Sequence, residues 1–565
     1  MTGRLSPTRG GGPDHAWWFL CADLSLLVPC ARAGVAIGRF QCVFKDRIIV
    51  VVFPTQPNHT HKNTIHENAM PHRTVAALLL LPVALAQVPG TQTPEHHPSL
   101  RISECTADKT CTALDKSIVL DANWRWTDVG GTNCYTGNAW SASLCPDPTT
   151  CASHCALEGA DYEGTYGIHA AGDELQLDFV THGSYGDNVG SRVYLLDGED
   201  KYHLFKLKNR EFSVTIDDSA LGCGLNGALY FVGMSEDGDA GKGANTAGAK
   251  YGTGYCDAQC PHDIKFIDGE ANILDWDGTS SNSGTGKYGT CCIEMDVWEG
   301  NRVSNAVTPH ACSVQGQYRC DGEECGDGHG DARSKGVCDK DGCDFAPYRL
   351  GATQFFGEGS GFAVDTSKKF TVVTQFLTTD GTDEGDLSEI RRFFLQDGAV
   401  VPDPTVTVGG DTFDRLSDGF CAAQKQAFGD ENTFEARGGL AAVGDQMDAG
   451  MVLVMSLWDD HDVDMLWLDS TYPANATGPG AARGSCGTDS GEPADVEANQ
   501  ADAYVTFSAI KVGAINSTFA PPTGHVCKKA GCNVCAACCQ DYIGDCDACV
   551  AAQCGAAGGP AFATF

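Results

Sequence analysis

Phe212-Ser213-Val214-Thr215-Ile216 sets a large apolar side chain at every second position, the period of a β-strand that buries one face. The same alternation runs through Leu175-Gln176-Leu177-Asp178-Phe179, and Phe370 to Phe376 and Met451 to Trp458 add further strand candidates. Gly, Asn and Asp turns separate such segments from about residue 100 to 515, and long helical periods are scarce. The expected fold class is therefore all-β: two packed antiparallel sheets with long loops on one face. Such a sandwich gives a ligand a groove.

With 565 residues, 42% of them hydrophobic, and 68 glycines, the chain can bury one large core or two ordinary ones, which excludes a disordered protein. A net charge of -36 repels phosphate backbones and anionic membranes. No nucleic-acid and no membrane partner is expected, and a neutral or cationic ligand is favoured. The 29 cysteines point to an oxidising compartment and disulfides rather than to zinc sites.

Met70-Pro71-His72-Arg73, the apolar run Val75 to Leu81 and Ala84-Leu85-Ala86 before Gln87 have the charge, length and small residues of a secretory signal peptide over residues 70–86. The run is too short to span a bilayer. Translation is expected to begin at Met70, with residues 1–69, which show no fold pattern, a gene-model extension. The main domain then covers residues 87–515. Asn516-Ser517-Thr518 is a glycosylation acceptor, and Pro521-Pro522-Thr523-Gly524 marks a linker over residues 516–526. Residues 527–565 form a separate module with cysteines 527, 532, 535, 538, 539, 546, 549 and 554, whose spacing suits a disulfide-stapled helical hairpin better than zinc. Its partner is unknown: Tyr542 alone among the cysteines is a poor platform for sugar rings.

Cys291-Cys292-Ile293-Glu294-Met295-Asp296-Val297-Trp298-Glu299 places three acids in six residues. On a regular strand Glu294 and Asp296 share a face and Glu299 takes the other. A β-bulge after Asp296 would bring Glu299 back, and one is expected there. Cys291 and Cys292, pointing to opposite faces, are expected to pin the strand to two different neighbours. Retaining glycoside hydrolysis needs such a set, with one carboxylate attacking the anomeric carbon and a protonated carboxyl about 5 Å away serving the leaving oxygen. A third acid adjacent to the nucleophile holds it and separates the site's pKa values. Spacing alone fits a solvated acidic strand equally well.

Several blocks in order decide between these readings: Asp121-Ala122-Asn123-Trp124-Arg125-Trp126, Cys223-Gly224-Leu225-Asn226-Gly227-Ala228-Leu229-Tyr230, Tyr251-Gly252-Thr253-Gly254-Tyr255-Cys256-Asp257, the acidic motif, and Ser456-Leu457-Trp458-Asp459-Asp460. Over about residues 103–515 the chain resembles the family 7 glycoside hydrolases, secreted cellulases that include reducing-end cellobiohydrolases and endoglucanases. The resemblance implies a β-jelly-roll sandwich whose loops roof a substrate tunnel, cellulose and cello-oligosaccharides as ligands, a monomer, and neither metal nor cofactor. It makes Glu294 the nucleophile, Glu299 the general acid/base and Asp296 the orienting partner. Asp257, Gln259 and His310 match positions beside the scissile bond, and Asn226 and Tyr230 further substrate positions. Trp126, Trp458 and Trp467 match sugar platforms, where a flat ring stacks on glucose C–H faces, and Arg349 and Arg483 match product-site arginines. Read in isolation, a lone His, a Trp or an Arg is as well explained by structure, core packing or a surface ion pair, and Trp124 fits the core.

Residues 132–140 and the insertion from Cys312 to Cys343 resemble cellobiohydrolase tunnel loops, which favours processive cutting from a chain end. Ala258 stands where cellobiohydrolases often carry serine, and an endoglucanase is the alternative within the family. A catalytically silent glucan-binding jelly roll and a metal-dependent hydrolase are the readings outside it. A further cellobiohydrolase disulfide is missing in both halves: Ala156 follows Cys155, and no cysteine lies between Gln87 and Ser103. The eighteen remaining cysteines would form nine disulfides. Mass spectrometry of the mature chain is expected to find its N-terminus near Gln87; one mapped upstream of Met70 would overturn the start assignment.

Overall fold

The structure, a computed structural model, describes residues 87–520 except Tyr185, Ala244 and His329, together with the backbone of three short strands between residues 31 and 52. Those strands, Ala31–Arg32, Arg39–Phe44 and Arg47–Val52, pair antiparallel within a unit of their own, Met1–Leu81, to which the sequence reading gave no fold. The signal peptide expected over residues 70–86 and the module expected over residues 527–565 lie outside the described residues.

In the second unit, Pro82–Phe565, twelve strands make one hydrogen-bonded path. In chain order they are β1 (Ser99–Cys105), β2 (Cys111–Leu120), β3 (Ser191–Leu196), β4 (Arg210–Asp217), β5 (Leu225–Val232), β6 (Glu294–Gly300), β7 (Asn305–His310), β8 (Phe370–Thr378), β9 (Leu387–Gln396), β10 (Ala399–Pro402), β11 (Met451–Asp459) and β12 (Tyr504–Ala514). Their spatial order is β7-β6-β5-β11-β3-β2-β1-β12-β4-β8-β9-β10. The path doubles back, because strands that share no hydrogen-bonded edge meet face to face: Phe231 of β5 lies 5.1 Å from Phe212 of β4, and Trp298 of β6 lies 5.3 Å from Phe370 of β8, between ring centroids. The two ends of the path are thus the two layers of a sandwich, with the core between them. Leu175, Leu177, Phe179, Phe212, Val214 and Ile216 all point into it and are at most 1% exposed, as their alternation predicts.

One pairing of this path departs from the antiparallel expectation. β12 runs parallel to β1, with Lys511 opposite Ser103 and Gly513 opposite Cys105, because the last strand slots in between the first strand and β4. That approach requires a glycine: a Cβ on Gly513 would stand 2.2 Å from the Cys105 carbonyl oxygen.

Nine disulfides take up all eighteen cysteines of residues 87–520, the number expected. Two buried carboxylates hold the ends of the domain. Where the further disulfide is missing, Glu158 accepts the backbone N–H groups of Thr91, Gln92 and Thr93 at 3.1, 2.9 and 2.8 Å. At the other end Glu211 of β4, fully buried, accepts from the Thr518 N–H and hydroxyl (2.9 and 2.7 Å), the Asn516 N–H (2.9 Å) and the Gln375 amide of β8 (2.6 Å). The Gln375 amide also donates to the Asn516 side chain at 3.0 Å, so the glycosylation acceptor read at Asn516 is folded into this clasp.

Trp298 is fully buried among Phe356, Phe370 and Phe394. Trp298→Ala is expected to destabilise the domain by about 3–5 kcal/mol through the cavity it leaves, and Trp298→Phe by clearly less; equal thermal midpoints for wild type and Trp298→Ala would contradict this packing.

Candidate active site

β6 carries the acidic motif between β5 and β7, and its register breaks where the bulge was expected. Asp296 pairs with Thr308 and Glu299 with Ala306, so Val297 and Trp298 together face Val307 alone. On the β5 side Tyr230 pairs with Asp296 and Leu229 with Trp298, which leaves Val297 without a partner. Two consecutive residues, Val297 and Trp298, therefore both enter the core, and the strand resumes with Glu299 on the face of Glu294 and Asp296.

Cys291 and Cys292 do not reach two neighbours. They bond to Cys260 and Cys256, so both clamp one short segment against the strand that leads into β6. The segment passes around the strand, which satisfies opposite-pointing side chains from one loop. It delivers Asp257, Ala258 and Gln259 to the acids. Ala258 donates its backbone N–H to Glu294 Oε2 at 3.0 Å, a contact that a serine in its place would also make. Asp257 accepts the Gln259 N–H (2.8 Å) and the Tyr255 hydroxyl (2.6 Å), and Tyr255 meets Tyr230 at 2.9 Å.

His310 stands opposite Glu294 in register, with Nε2 3.1 Å from Asp296 Oδ2 and Nδ1 2.8 Å from the Asp339 carbonyl oxygen. A carbonyl only accepts, so Nδ1 carries a proton, and Nε2 and Asp296 share another. Asn226 of β5 donates to Glu299 Oε1 at 3.1 Å and accepts the Gly300 N–H at 2.9 Å.

Burial dominates the titration of this cluster. Glu294 is held well above the usual carboxylate range by desolvation, then by the charges of Asp296 and Asp257. Asp296 is raised likewise by burial and by Glu299, while a hydrogen bond with Glu294 works the other way. Glu299 is pushed up to about 7 by burial, against the opposing pull of His310 and Asn226. Asp257 is also raised by burial. Carboxyls this close, some neutral and some ionised near neutral pH, can supply a nucleophile and a proton donor to one bond.

The other expected residues divide by surroundings. Trp126 is 37% exposed and donates its indole N–H to Asn133, in the loop of residues 132–140. Trp458 and Trp467 are half-buried and stacked, with centroids 6.3 Å apart and planes 26° apart, and Trp467 donates to Asp460 at 3.0 Å. Gln259 is exposed and donates to the Lys340 carbonyl at 2.7 Å, which joins the clamped segment to the cysteine-bearing insertion. Asn226 and Tyr230, read as substrate positions, are buried, and both bond to neighbouring site side chains. Arg349 is occupied by Asp344, by Asp430 at 3.1 Å and by the Gly480 carbonyl at 3.1 Å. Arg483 has neither a side-chain hydrogen bond nor an ion pair among the described residues, and its Nε is buried without a partner. Trp124 packs on the core, as expected.

Two residues escaped the sequence reading. Tyr255 is bonded to both Asp257 and Tyr230, and its position two residues before Asp257 was a usable signal. Arg333, which binds Asp341 at 2.9 Å and Gln259 at 3.3 Å, sits in a glycine-rich insertion with no periodicity to mark it.

The sequence profile of glycosyl hydrolase family 7 matches residues 89–519. A family 7 cellobiohydrolase from Daphnia pulex is 51% identical and superposes with a TM-score of 0.75, the match covering 76% of this chain and all of that one. A cellobiohydrolase from Melanocarpus albomyces, solved with cellotetraose, is 46% identical over 76% of this chain and 99% of that one, at a TM-score of 0.72. Endocellulase EGI of Humicola insolens is 35% identical over 76% of this chain and all of its own, at 0.65.

The Glu299 carboxyl binds its proton more tightly in the folded chain than in the unfolded one, so its contribution to stability is full below about pH 4.5 and is lost as pH rises through about 7. Glu299→Gln, which keeps an acceptor for Asn226, is expected to stabilise the protein at pH 8 by roughly 1–2 kcal/mol, reduced for partial exposure, and to do little at pH 4. A thermal midpoint that rises equally at both pH values would refute this.

Proposed function

Because the chain belongs to glycosyl hydrolase family 7, whose profile spans the whole described domain, we propose that it hydrolyses β-1,4-glucosidic bonds of cellulose and cello-oligosaccharides with retention of configuration, cutting processively and releasing cellobiose from reducing chain ends. The observation that carries the reading is the bulged strand, which gives Glu294, Asp296 and Glu299 one common face despite their odd spacing.

Glu294 attacks the anomeric carbon and forms the glycosyl-enzyme bond. Its Oε2 is fixed by the Ala258 N–H, and a hydrogen bond with Asp296 orients it, the two carboxyls passing one proton between them. Glu299 retains its proton to about pH 7 and gives it to the leaving oxygen, then takes one from the water that releases the sugar. Asn226 aims Glu299, and His310, anchored on Asp339, holds the far side of Asp296. Trp126, Trp458 and Trp467 stack on glucose rings, Gln259 and Asp257 bind beside the scissile bond, and Arg349 and Arg483 shape the product end.

Chain-end cutting is supported by the loops. Trp140 packs on Tyr135 and Phe266, and Trp276 donates to Asn138 at 2.9 Å, so residues 132–140 are held against residues 266–276. The insertion is stapled by Cys312–Cys338 and Cys320–Cys325 and is tied by Asp327 to His262 at 3.0 Å. The nine disulfides support export to an oxidising, extracellular setting.

Cellobiose is the expected main product from crystalline cellulose, with the β-anomer formed first by proton NMR; a rapid viscosity drop in soluble cellulose derivatives would favour endo cutting instead. Glu294→Gln should lower kcat on the order of 10³-fold while retaining cellotetraose binding, and a variant that cuts as fast as wild type overturns the mechanism.

A further inference from the structure

At the end of β11 the fold sets a histidine between two carboxylates. His461 Nε2 stands 3.6 Å from Asp459 Oδ2 and 3.3 Å from Oε1 of Glu497, which lies on the helix Pro493–Asn499. Asp459 closes β11 in register with Leu225, and successive residues of a strand alternate, so it faces away from Trp458. The strand end, the turn after it and the helix thus converge on one point. A protonated imidazole fits that point poorly. Nε2 carries at most one N–H, which can serve only one of the two acids, and both separations exceed the ~2.7–3.2 Å of a good N–H···O bond. Asp459 is 9% exposed, and its Oδ2, the atom turned to His461, is buried with no hydrogen-bond partner among the described residues. An acceptor left bare in the interior is costly.

The same separations are those of ligand atoms around a tetrahedral zinc ion. Bonds of about 2.0–2.2 Å to an imidazole nitrogen and a carboxylate oxygen set adjacent ligand atoms about 3.3–3.6 Å apart. An ion at this point would take the lone pair of a neutral Nε2 and one oxygen of each acid, would give the bare Oδ2 a partner, and would leave a fourth position for water. The way in is open, because the His461 and Glu497 side chains are 22% and 34% exposed while that of Asp459 is 5% exposed. A net charge of -36 draws cations to the surface. Glu294, Asp296 and His310 also bring three such atoms within 4.8 Å of one another, but there Asp296 and His310 already share a proton at 3.1 Å.

We infer that Asp459, His461 and Glu497 form a binding site for a divalent transition-metal ion of the zinc type, which ties the end of β11 to the helix Pro493–Asn499. The ion is structural and takes no part in the hydrolytic step. Asp460, next in the chain, accepts the Trp467 indole N–H at 3.0 Å, so the tie steadies the turn that carries the Trp458–Trp467 pair.

The test is titration of the full chain, stripped with EDTA and dialysed, with zinc by calorimetry and thermal midpoint, and with cobalt(II) by visible absorption. Zinc is expected to bind with micromolar or tighter affinity and to raise the thermal midpoint, and cobalt to give the intense visible bands of a tetrahedral ion. His461→Gln should weaken that binding at least about 100-fold, and Glu497→Gln should weaken it as well. Both variants should keep the wild-type circular dichroism in EDTA, which shows an intact fold. A wild type that binds no zinc, or zinc binding that His461→Gln leaves unchanged, overturns the inference. So does loss of that binding in Glu294→Gln, which would put the ion on the catalytic acids.

Discussion

Between Asp296 and Glu299 one strand has to serve the core and the groove in a spacing that a regular pleat does not allow. Inserting one extra residue solves it: Val297 and Trp298 both turn inward, and the strand regains its alternation with Glu299 on the opposite face. The indole that fills the core is thereby the direct neighbour of a carboxyl on the face away from the core. Trp298 packs on β8 and β9 of the other layer, so closing the sandwich and setting the position of Glu299 are one event. Everything else at the site is arranged around that fixed point.

Holding four carboxyls in a low-dielectric cluster is unfavourable, and the surroundings limit the cost with polar groups fixed in advance. The Ala258 N–H, the Asn226 amide, the Tyr255 hydroxyl and the His310 ring are each constrained by something remote from the reacting bond: two disulfides, a central strand, a second tyrosine and a backbone carbonyl. None has to reorganise when charge moves. The distribution of protons over the acids then follows from which carboxyl has donors and which only has burial.

Alternation was enough to read the strands around Phe212 and Leu175, because the two-residue period reports burial directly. The bulge was readable for a related reason: three acids cannot share a face at that spacing without one. What pattern could not give was anything set by the path of loops. Cys291 and Cys292 reach one segment rather than two because a loop can pass around a strand, and parity carries no information about that. The parallel pairing of β12 with β1 joins residues about 400 apart in sequence and depends on which slot the last strand finds open. Arg333 lies in an insertion where glycines and acids erase any period. Asn226 was found by resemblance, but its bond to Glu299 needed coordinates, since the two residues are 73 apart in sequence.

The Glu211 clasp has a mechanical meaning. Its carboxylate holds Asn516 and Thr518 to β4 and β8, the layer that faces away from the acids. Any pull exerted through the chain beyond Phe519 therefore reaches the domain first at that back layer, with the core between it and the bulged strand. Tension on the chain that follows is met first by the hydrogen bonds of this clasp, and the core separates them from the three acids of the bulged strand.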